Sequence, residues 1–383
     1  MASNVSWWVK YVVLCLLSLL CNLIRAEAAN PPVRIAIVGL VHGHVWGFIP
    51  LLQARPEVQL VGIVETDQEL AARYAKRFNL PRHLFFTNLD ELLARTNVEA
   101  VAAFTTTYDH PAVVEACAKR NVHVIMMEKP LAVDMAAARR IHRVAQESGI
   151  QVVVNYETTW YRNHAALWQL IKQQAACGEI RKMVALDGHN GPEKYVGPEF
   201  YDWLFDPVKN GDGALFDFGC YGANLMTWLM DNRRPLAVTG VTQTFRPQIN
   251  PKVDDDATII VEYPRAMGFI EASWNWPFNR KDLEVYGEKG YVVATAYEKG
   301  LAPGESLEAR LPGMAQEEPQ GVGDLPEMER DSISYLVAVA RGKLKPAGLS
   351  SLENNLIVTE ILDAARQSAH TGERVVLPPN PPW

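Results

Sequence analysis

Short apolar runs alternate with stretches of helical spacing along the first half of the chain. The apolar runs cover residues 34–38, 58–64, 100–104, 122–126 and 151–154. Such alternation predicts a parallel sheet with helices on both faces. Later in the chain, longer strand-like runs separated by turn residues predict a large, mainly antiparallel open sheet. The expected fold class is therefore α/β, with an N-terminal Rossmann-type sheet followed by a C-terminal α+β domain.

The change of pattern also sets the predicted domain boundaries, and 383 residues suffice for two domains. We expect a signal peptide over residues 1–29, a nucleotide-binding Rossmann domain over 30–154 and a substrate-binding α+β domain over 155–349. A closing helix and tail occupy residues 350–383. Residues 303–326 are rich in Pro, Gly and Glu, which predicts a surface loop.

The predicted signal peptide has a thin positive start at Lys10, an apolar run over residues 11–24 and a small-residue cleavage site at Ala26-Glu27-Ala28. A membrane anchor is the alternative, but the run is shorter than the roughly 20 apolar residues that a spanning helix needs. The sequence therefore predicts an exported protein, periplasmic or extracellular, with no stable membrane span after processing.

Charge and cysteine content narrow the classes of partner. The formal net charge is −7, which argues against nucleic acid because phosphate binding needs a basic surface. Past the signal peptide the cysteines are Cys117, Cys177 and Cys220. Their odd number and spacing indicate neither a disulfide framework nor a metal site, so each is expected to be a buried small hydrophobe.

The segment Glu128-Lys129-Pro130 follows an apolar strand and precedes a helical pattern. A residue in that place lies at the carboxyl edge of a parallel sheet, where open α/β sheets bind ligands. A Glu-Lys-Pro triplet by itself is a weak signal, but its position after a nucleotide-domain pattern raises its weight. Lys129 is therefore a candidate for contact with a ligand.

The first strand runs into a turn that partly matches a dinucleotide-binding motif. That motif has glycines at its first, third and sixth places. Gly39 occupies the first place, whereas Val41 and His44 fill the other two, with Gly43 and Gly47 nearby. The motif alone is weak, but the order of strand, turn, helix and strand supports it.

An acidic residue, Glu65, ends the second strand, 26 positions after Gly39. An acid in this place bonds both ribose hydroxyls of NAD and repels the extra phosphate of NADP. The alternative is a solvated turn residue beside Asp67. We favour the ribose role, and hence NAD over NADP.

His42 and His44 lie in the same turn. One hypothesis is that they replace glycines and shape the turn near the pyrophosphate; the other is a metal pair. No Cys, Asp or Glu lies close in sequence, so no metal is expected.

A polar stretch, Thr105-Thr106-Thr107-Tyr108-Asp109-His110, follows the strand at residues 100–104 and also lies at the ligand edge. Its hydroxyls suit a ribose or an amide. The alternative is a capping loop with Asp109 as the N-cap, and both roles are compatible. The expected cofactor contacts are Gly39, Val41, His42, Gly43, His44, Glu65, Thr105, Thr106, Thr107, His110, Glu128 and Lys129.

These pieces together resemble the Gfo/Idh/MocA oxidoreductases, named for glucose–fructose oxidoreductase and inositol dehydrogenase. The resemblance covers almost the whole chain after the signal peptide and depends on the order and spacing of several segments. They are the turn at Gly39, Glu65, Thr105 to His110, Glu128-Lys129-Pro130, residues 213–221, Asp254-Asp255-Asp256-Ala257, residues 283–290 and residues 350–377.

The resemblance implies that Lys129 touches both substrate and nicotinamide, and that Asp217 completes the site with the residue four positions later. Many members have His in that later place, whereas this chain has Tyr221, as in the branch resembling glucose–fructose oxidoreductase. Tyr221 is then a candidate base, with the Lys129 ammonium favouring its phenolate. The alternatives are an N-cap role for Asp217 and core packing for Tyr221. The family also implies a homo-oligomer that pairs through the second sheet.

Aromatic and polar residues after two strands are expected to face the substrate. We single out Tyr156, Trp160, Arg162 and His189, because aromatic rings flanked by polar groups suit the mixed faces of a sugar. The first hypothesis is an exported oxidoreductase acting on a carbohydrate-like alcohol with tightly bound NAD. The second is a redox-neutral hydrolase or lyase using bound NAD transiently, and the third is a binding protein without turnover.

Overall fold

The computed structural model describes residues 31–299, 302–381 and 383. The predicted signal peptide, residues 1–29, lies outside these residues. Two sheets organise the described part, and they confirm the expected α/β class with a parallel sheet followed by a mainly antiparallel one. The predicted domain boundaries stay predictions.

The first sheet has six strands, all paired in parallel. They are β1 (Val33–Val38), β2 (Val58–Val64), β3 (Phe85–Phe86), β4 (Ala100–Ala103), β5 (Val124–Glu128) and β6 (Gln151–Asn155). Their order is β3-β2-β1-β4-β5-β6. Strands β2 and β3 lie on one side of β1, and β4, β5 and β6 lie on the other. The crevice at the carboxyl ends of β1 and β4, where the strand order reverses, is the place in which such folds bind ligands.

Helices connect these strands. They are α1 (Val45–Gln53), α2 (Gln68–Arg77), α3 (Leu89–Arg95), α4 (His110–Lys119) and α5 (Met135–Ser148). Helix α1 begins at Val45, directly after a tight turn in which the N–H of Val45 donates to the carbonyl of His42 over 3.2 Å. Helix α5 ends at Ser148. The next residue, Gly149, has φ +75°, a left-handed conformation that glycine adopts without strain.

Nine strands form the second sheet of the described residues. They are β7 (Ile180–Gly188), β8 (Ala237–Gln243), β9 (Asp256–Glu262), β10 (Met267–Ser273), β11 (Arg280–Gly287), β12 (Tyr291–Lys299), β13 (Ala302–Arg310), β14 (Glu318–Pro319) and β15 (Val375–Val376). Their order is β14-β13-β12-β11-β7-β10-β9-β8-β15. Only the β7–β10 pair is parallel.

The remaining helices are α6 (Arg162–Trp168), α7 (Pro198–Leu204), α8 (Pro207–Asn210), α9 (Ala214–Asp217), α10 (Gly219–Leu229), α11 (Ser332–Ala340) and α12 (Leu352–Thr371). Helix α10 lies against β7 and β10. A Cβ at Gly222 would lie 2.7 Å from Ile270 Cγ2 and 2.8 Å from Ala185 Cβ, so a glycine is what permits this close approach.

Two regions differ from the sequence-based expectation. The predicted loop over residues 303–326 contains β13 and the short β14, which extend the second sheet. Helix α11 was not predicted, and its residues Ile333 and Leu336 pack in the core of the first sheet rather than the second. Residues 303–326 were predicted as a loop because they are rich in Pro and Gly. Helix α11 was missed because an apolar composition does not indicate which sheet a segment packs against.

Two further properties concern surfaces and cysteines. None of the helices in the described ranges combines the length and apolarity that crossing a bilayer requires. Cys117, Cys177 and Cys220 are all buried and unpaired with one another, as the sequence led us to expect.

Candidate active site

The side chain of Lys129 lies at the carboxyl end of β5 and is only 5% exposed. Its Nζ donates to Asp217 Oδ1 over 2.5 Å and to the main-chain oxygen of Asp217 over 3.0 Å. Burial of both partners makes each charge depend on the other for compensation. The fold therefore joins two predicted site residues, 88 positions apart in sequence, into one ion pair.

The second oxygen of Asp217 is also occupied, because Trp274 Nε1 donates to Oδ2 over 2.9 Å. Burial opposes ionisation of Asp217, but the Lys129 ammonium outweighs it and holds the pKa of Asp217 below its ordinary value. Burial likewise opposes the charge on Lys129, and Asp217 outweighs it and raises the pKa of Lys129. Both groups are therefore charged at neutral pH. The alternative N-cap role is not found, since Phe218 occupies the N-cap of α10.

Asp254, which lies between β8 and β9, fixes the turn that carries Asp217. The Asp254 carboxylate accepts the N–H of Gly213 over 2.9 Å and that of Leu215 over 2.8 Å. Its main-chain oxygen accepts the N–H of Ala214 over 3.1 Å. These three bonds clamp the start of α9, which ends at Asp217. Asp254 therefore sets where the catalytic candidate lies.

We expect Gly213→Ala to lower the free energy of unfolding by about 3 kcal/mol and to reduce turnover. A Cβ at this position would lie 1.8 Å from the Asp254 main-chain oxygen, so the clamped turn has to shift. Urea unfolding and steady-state kinetics measure the two effects. Gly321→Ala is the matched control, since a Cβ there meets nothing within 4 Å. Equal stability and activity in the two variants would contradict the clamp.

Tyr221 lies beside the ion pair, but its phenol lacks the expected acidity. The residue is 2% exposed, and the Nζ atoms of Lys129 and Lys281 lie 5.0 and 5.1 Å from its ring centroid. Burial, followed by the Glu157 carboxylate, raises the pKa of Tyr221 well above its usual value. The structure therefore disfavours the predicted phenolate, because burial opposes ionisation and the ammonium groups lie against the ring. The role of Tyr221 in catalysis stays a prediction.

A cavity of about 210 Å³, here called the active-site cavity, opens beside the ion pair. Lys129, Asp217 and Tyr221 line it. So does Lys281, which donates to Glu157 Oε2 over 2.6 Å. Lys281 was missed in the sequence because its signal is the register of β11 against β7, which only the folded sheet supplies. The cavity thus contains two lysine–carboxylate pairs.

Of the four residues predicted to face the substrate, His189 alone lines the active-site cavity. Burial lowers the pKa of His189 to about 4, so its imidazole is neutral at pH 7. Tyr156 is fully buried, with its ring centroid 5.6 Å from that of Tyr221. Arg162 is exposed and pairs with the carboxylates of Glu305 and Asp324. Trp160 lines a different cavity. The substrate-facing predictions for these three residues are therefore not met by the structure.

Gly39 forms the sharp bend after β1 and has φ +80°. A Cβ there would lie 2.8 Å from both the Phe104 main-chain oxygen and Thr105 Cγ2. Glycine is thus needed for conformation and for space, as the first glycine of a dinucleotide turn is.

Glu65 is buried at the end of β2 and holds the same turn. Its Oε2 accepts the N–H of Leu40 over 2.9 Å, and its Oε1 accepts the N–H of Asp67 over 2.9 Å. The residue is 6% exposed, so it is not the solvated turn residue of the alternative interpretation. The ribose role stays a prediction.

The potential metal-ligand atoms of His42, His44 and Glu128 all lie within 4.8 Å of one another. The Glu128 carboxylate was not expected here, because it lies in β5, far along the chain from the two histidines. His44 Nδ1 lies 2.8 Å from Glu128 Oε2, and the attraction of this carboxylate raises the pKa of His44 against the effect of burial. His42 Nδ1 accepts the N–H of His44 over 3.3 Å, so its Nε2 carries the proton and is not a metal ligand in this tautomer. The absence of a metal stays a prediction.

The polar stretch after β4 is largely bonded within itself. Thr105 Oγ1 donates to the Thr106 carbonyl over 3.1 Å, and Thr106 Oγ1 donates to Asp109 Oδ2 over 2.6 Å. Asp109 makes no side-chain cap on α4. The buried hydroxyl of Thr107 and the Nε2 atom of His110 have no hydrogen-bond partner among the described residues. These two atoms are the ones left to a ligand or a water.

A second cavity, about 170 Å³ and here called the turn cavity, lies on the other side of Gly43. Val41 and Trp46 line it, and Gly43, Val196 and Phe200 line both it and the active-site cavity. The two cavities thus follow the glycine turn from β1 towards Lys129. A turn in this place is where Rossmann sheets receive a dinucleotide.

A Rossmann sheet joined to an open mixed sheet, with a buried lysine at the strand ends between them, is the architecture of NAD-binding oxidoreductases. Residues 33–156 match the description "Oxidoreductase family, NAD-binding Rossmann fold", and residues 164–293 match the GFO/IDH/MocA C-terminal domain. The chain belongs to the Gfo/Idh/MocA oxidoreductase family.

Several characterised proteins are similar to this chain. A dTDP-3,4-didehydro-2,6-dideoxy-alpha-D-glucose 3-reductase of Streptomyces antibioticus is 28% identical over 50% of this chain and 55% of its own. A trans-1,2-dihydrobenzene-1,2-diol dehydrogenase of Xenopus laevis is 22% identical over 83% and 92%. The chain covers 55–61% of the length of the first curated relatives it matches. These names give no support to a hydrolase or lyase.

Among solved structures, an aldose-aldose oxidoreductase from Caulobacter crescentus, complexed with glycerol, has a TM-score of 0.75. It is 20% identical, and the match covers 90% of this chain and 100% of that one. At this identity the likeness shows the fold.

Proposed function

We propose that this protein is an NAD-dependent oxidoreductase that interconverts a hydroxyl and a carbonyl group of a sugar or sugar-like polyol. The observation that carries the proposal is the buried Lys129–Asp217 pair, which faces a cavity at the ligand edge of a Rossmann sheet. The sugar-like substrate is supported by the named activities of the relatives.

The ion pair suits proton transfer to a developing alkoxide. Asp217 raises the pKa of Lys129, so the ammonium donates a proton to the carbonyl oxygen during reduction and becomes an amine. Oxidation is the reverse step, in which the amine form of Lys129 takes the hydroxyl proton. Asp217 fixes the direction of the ammonium and is itself fixed by Trp274. His189 is neutral, and its Nδ1 accepts the N–H of Gly191 over 3.1 Å, so its Nε2 donates a hydrogen bond to a substrate oxygen.

The residues proposed to hold the cofactor are the turn from Gly39 to His44, Glu65 and the Thr105–His110 stretch. When bound, a nicotinamide dinucleotide supplies or accepts the hydride. The two cavities support the placement of the turn, because Val41, Gly43 and His44 line them. For Glu65 and the Thr105–His110 stretch, which line neither cavity, the proposal depends on the family resemblance. We further propose that the cofactor is bound tightly, because the predicted signal peptide sends the protein to a compartment where free NAD is scarce.

Turnover tests this function directly. The purified protein is incubated with a panel of aldoses and polyols in the presence of NAD or NADH, and cofactor absorbance is followed. Denaturing the protein as isolated from its native compartment and quantifying released nucleotide tests tight binding. Absence of both cofactor affinity and turnover across the panel would leave the binding-protein hypothesis standing instead. Fractionation of the producing cell tests the proposed export, and the oligomeric state stays a prediction.

Glu65→Gln is expected to weaken NAD binding by about 10- to 100-fold and to narrow the preference for NAD over NADP. The change removes the negative charge that would bond the ribose hydroxyls and repel a phosphate. Titration of both cofactors by calorimetry measures it. Glu69→Gln, in the exposed first turn of α2, is the control. An unchanged NAD affinity in Glu65→Gln would remove this residue from the cofactor site.

Tyr221→Phe is expected to reduce kcat by no more than about tenfold and to leave the pH profile near neutrality unchanged. The reason is that burial keeps the phenol protonated, so it does not serve as the base. Rates measured from mildly acidic to mildly alkaline pH check this. Loss of an alkaline limb in the variant would instead show that the phenol titrates in turnover.

A further inference from the structure

His44 and Glu128 form a further pair of acid–base groups beside the active-site cavity. Glu128 ends β5 and is only 1% exposed. Its Oε2 lies 2.8 Å from His44 Nδ1, and its Oε1 accepts a hydrogen bond from Asn155 Nδ2 over 2.8 Å. Because a carboxylate only accepts hydrogen bonds, Nδ1 of His44 carries a proton and donates it to this bond. Both oxygens of Glu128 thus hold side chains of the protein.

The imidazole of His44 reaches the active-site cavity, whereas the carboxylate lies behind it. The side chain of His44 is 37% exposed and lines this cavity together with Lys129, but Glu128 does not line it. His44 does not line the turn cavity. Since Glu128 holds Nδ1, Nε2 is the ring nitrogen left to exchange a proton, and it has no hydrogen-bond partner within the described residues. A carboxylate that orients an imidazole in this way suits the ring to proton transfer.

The charged groups around His44 favour its protonated form. Burial opposes a charge on the ring, but the carboxylates of Glu128, in β5, and Glu157, in the turn after β6, outweigh it. The Lys129 ammonium also opposes the charge. His42, in the same turn, is neutral because burial lowers its pKa. The balance raises the pKa of His44 above its ordinary value of about 6.5, so the ring changes its protonation near neutral pH.

Three other groups that line the active-site cavity titrate far from neutral pH. Asp217 outweighs burial and raises the pKa of Lys129, burial raises the pKa of Tyr221, and burial lowers the pKa of His189 to about 4. Lys129 is also only 5% exposed. A proton that Lys129 gives up has to be replaced through a group that faces the same cavity and reaches solvent. His44 meets both conditions.

We propose that His44 is a proton-relay residue that restores the proton Lys129 gives to the substrate, and that Glu128 is its positioning residue. This inference rests on the proposed oxidoreductase function. During reduction the carbonyl carbon receives the hydride, and the carbonyl oxygen takes a proton from Lys129, whose nitrogen keeps the electron pair of the broken N–H bond. His44 Nε2 then gives its proton to this amine, and the neutral ring takes a proton from solvent. Oxidation runs through the same steps in reverse.

Histidine NMR tests the pair without turnover. The purified protein carries histidine labelled with carbon-13 at Cε1, and the His44 signal is the one missing in His44→Gln. We expect this signal to titrate above about pH 6.5, and at lower pH in Glu128→Gln, because that variant removes the negative charge. His83→Gln, at an exposed position, is the control and should leave the His44 titration unchanged.

Two NMR results would overturn the proposal. One is a His44 titration that lies below about pH 6.5 or that Glu128→Gln leaves in place. The other is loss of the titration on adding one equivalent of Zn²⁺, because the ion would then hold the ring.

Rescue by a small buffer tests the relay itself. We expect His44→Ala to lower kcat for carbonyl reduction at pH 7 by about 10- to 100-fold, with NADH affinity within about threefold of the unmodified protein. Added imidazole should restore kcat in a saturable way, since it can take the place of the missing ring. Lys129→Met should not be rescued, because it lacks the amine that is reprotonated. His83→Ala should respond to imidazole no more than the unmodified protein does.

The kinetic outcomes separate this inference from the proposed function. Full kcat in His44→Ala, or a loss that imidazole does not restore, would overturn the relay while the unmodified protein remains an active oxidoreductase. Absence of turnover in the unmodified protein would refute the proposed function, and the relay with it, even where NMR shows the pair of His44 and Glu128.

Discussion

Lys129→Met is expected to lower kcat by about three orders of magnitude while the protein remains folded. The substitution keeps most of the side-chain volume but removes the ammonium that faces the active-site cavity. Without it, no charged donor at this place meets the alkoxide, and Asp217 loses the partner that lowers its pKa. Steady-state rates with a sugar or polyol that the unmodified protein turns over give the measurement.

Lys182→Met is the matched control for this experiment. Lys182 lies in β7, and its Nζ lies 4.9 Å from the Phe269 ring, away from the active-site cavity. We expect its kcat to stay within about twofold of the unmodified protein. A Lys129→Met protein that retained more than about a tenth of the activity would contradict the assignment of Lys129.

The second large effect concerns the contribution of the Lys129–Asp217 ion pair to the stability of the protein. Lys129→Met and Asp217→Leu are each expected to lower the free energy of unfolding by about 3–5 kcal/mol, because either change leaves one buried charge without its partner. The double variant should recover much of that loss, since both charges are then absent, yet it should remain inactive. Urea unfolding of the four proteins completes the cycle. A double variant as unstable as the sum of the singles would show that the two charges are not coupled.

The pH dependence of the cycle has a defined sign. The folded-state pKa of Asp217 is lowered, so its contribution is present above the unfolded-state value of about 3.9 and is lost as pH falls. The folded-state pKa of Lys129 is raised, so its contribution is present below about 10.4 and is lost as pH rises through the folded value. The stability difference between the unmodified protein and the double variant should therefore be level around neutral pH and change at either extreme.

The sequence predicted the first sheet closely because its strands are buried on both faces and bounded by turn residues. The strand over residues 58–64 matches the structure at both ends. Lys129 was identified from its place at the carboxyl edge of the sheet and Asp217 through the family resemblance, and the structure adds that they form a pair. Spacing along the chain contains no information about such a long-range contact.

Residues whose roles depend on register or on three-dimensional cavities were predicted less well. Trp160 was expected to face the substrate, but the turn after β6 directs Glu157 to the active-site cavity and Trp160 to a different cavity. Lys281 is presented by strand pairing with β7. Tyr221 was predicted as an acid–base group from its neighbour, whereas burial decides its pKa. In each case the role depends on the solvent exposure of the side chain or on the direction in which it points. Neither is evident from the neighbouring residues in the sequence.

Helix α11 has a consequence for any attempt to study the two halves apart. It comes from the far end of the chain, yet Ile333 and Leu336 contribute to the apolar core around β1, and Asp331 pairs with Arg55 over 2.9 Å. A fragment ending near residue 154 would leave that apolar surface uncovered. We therefore expect the nucleotide-binding half, produced without residues 331–340, to be less stable and more prone to associate through the uncovered apolar surface.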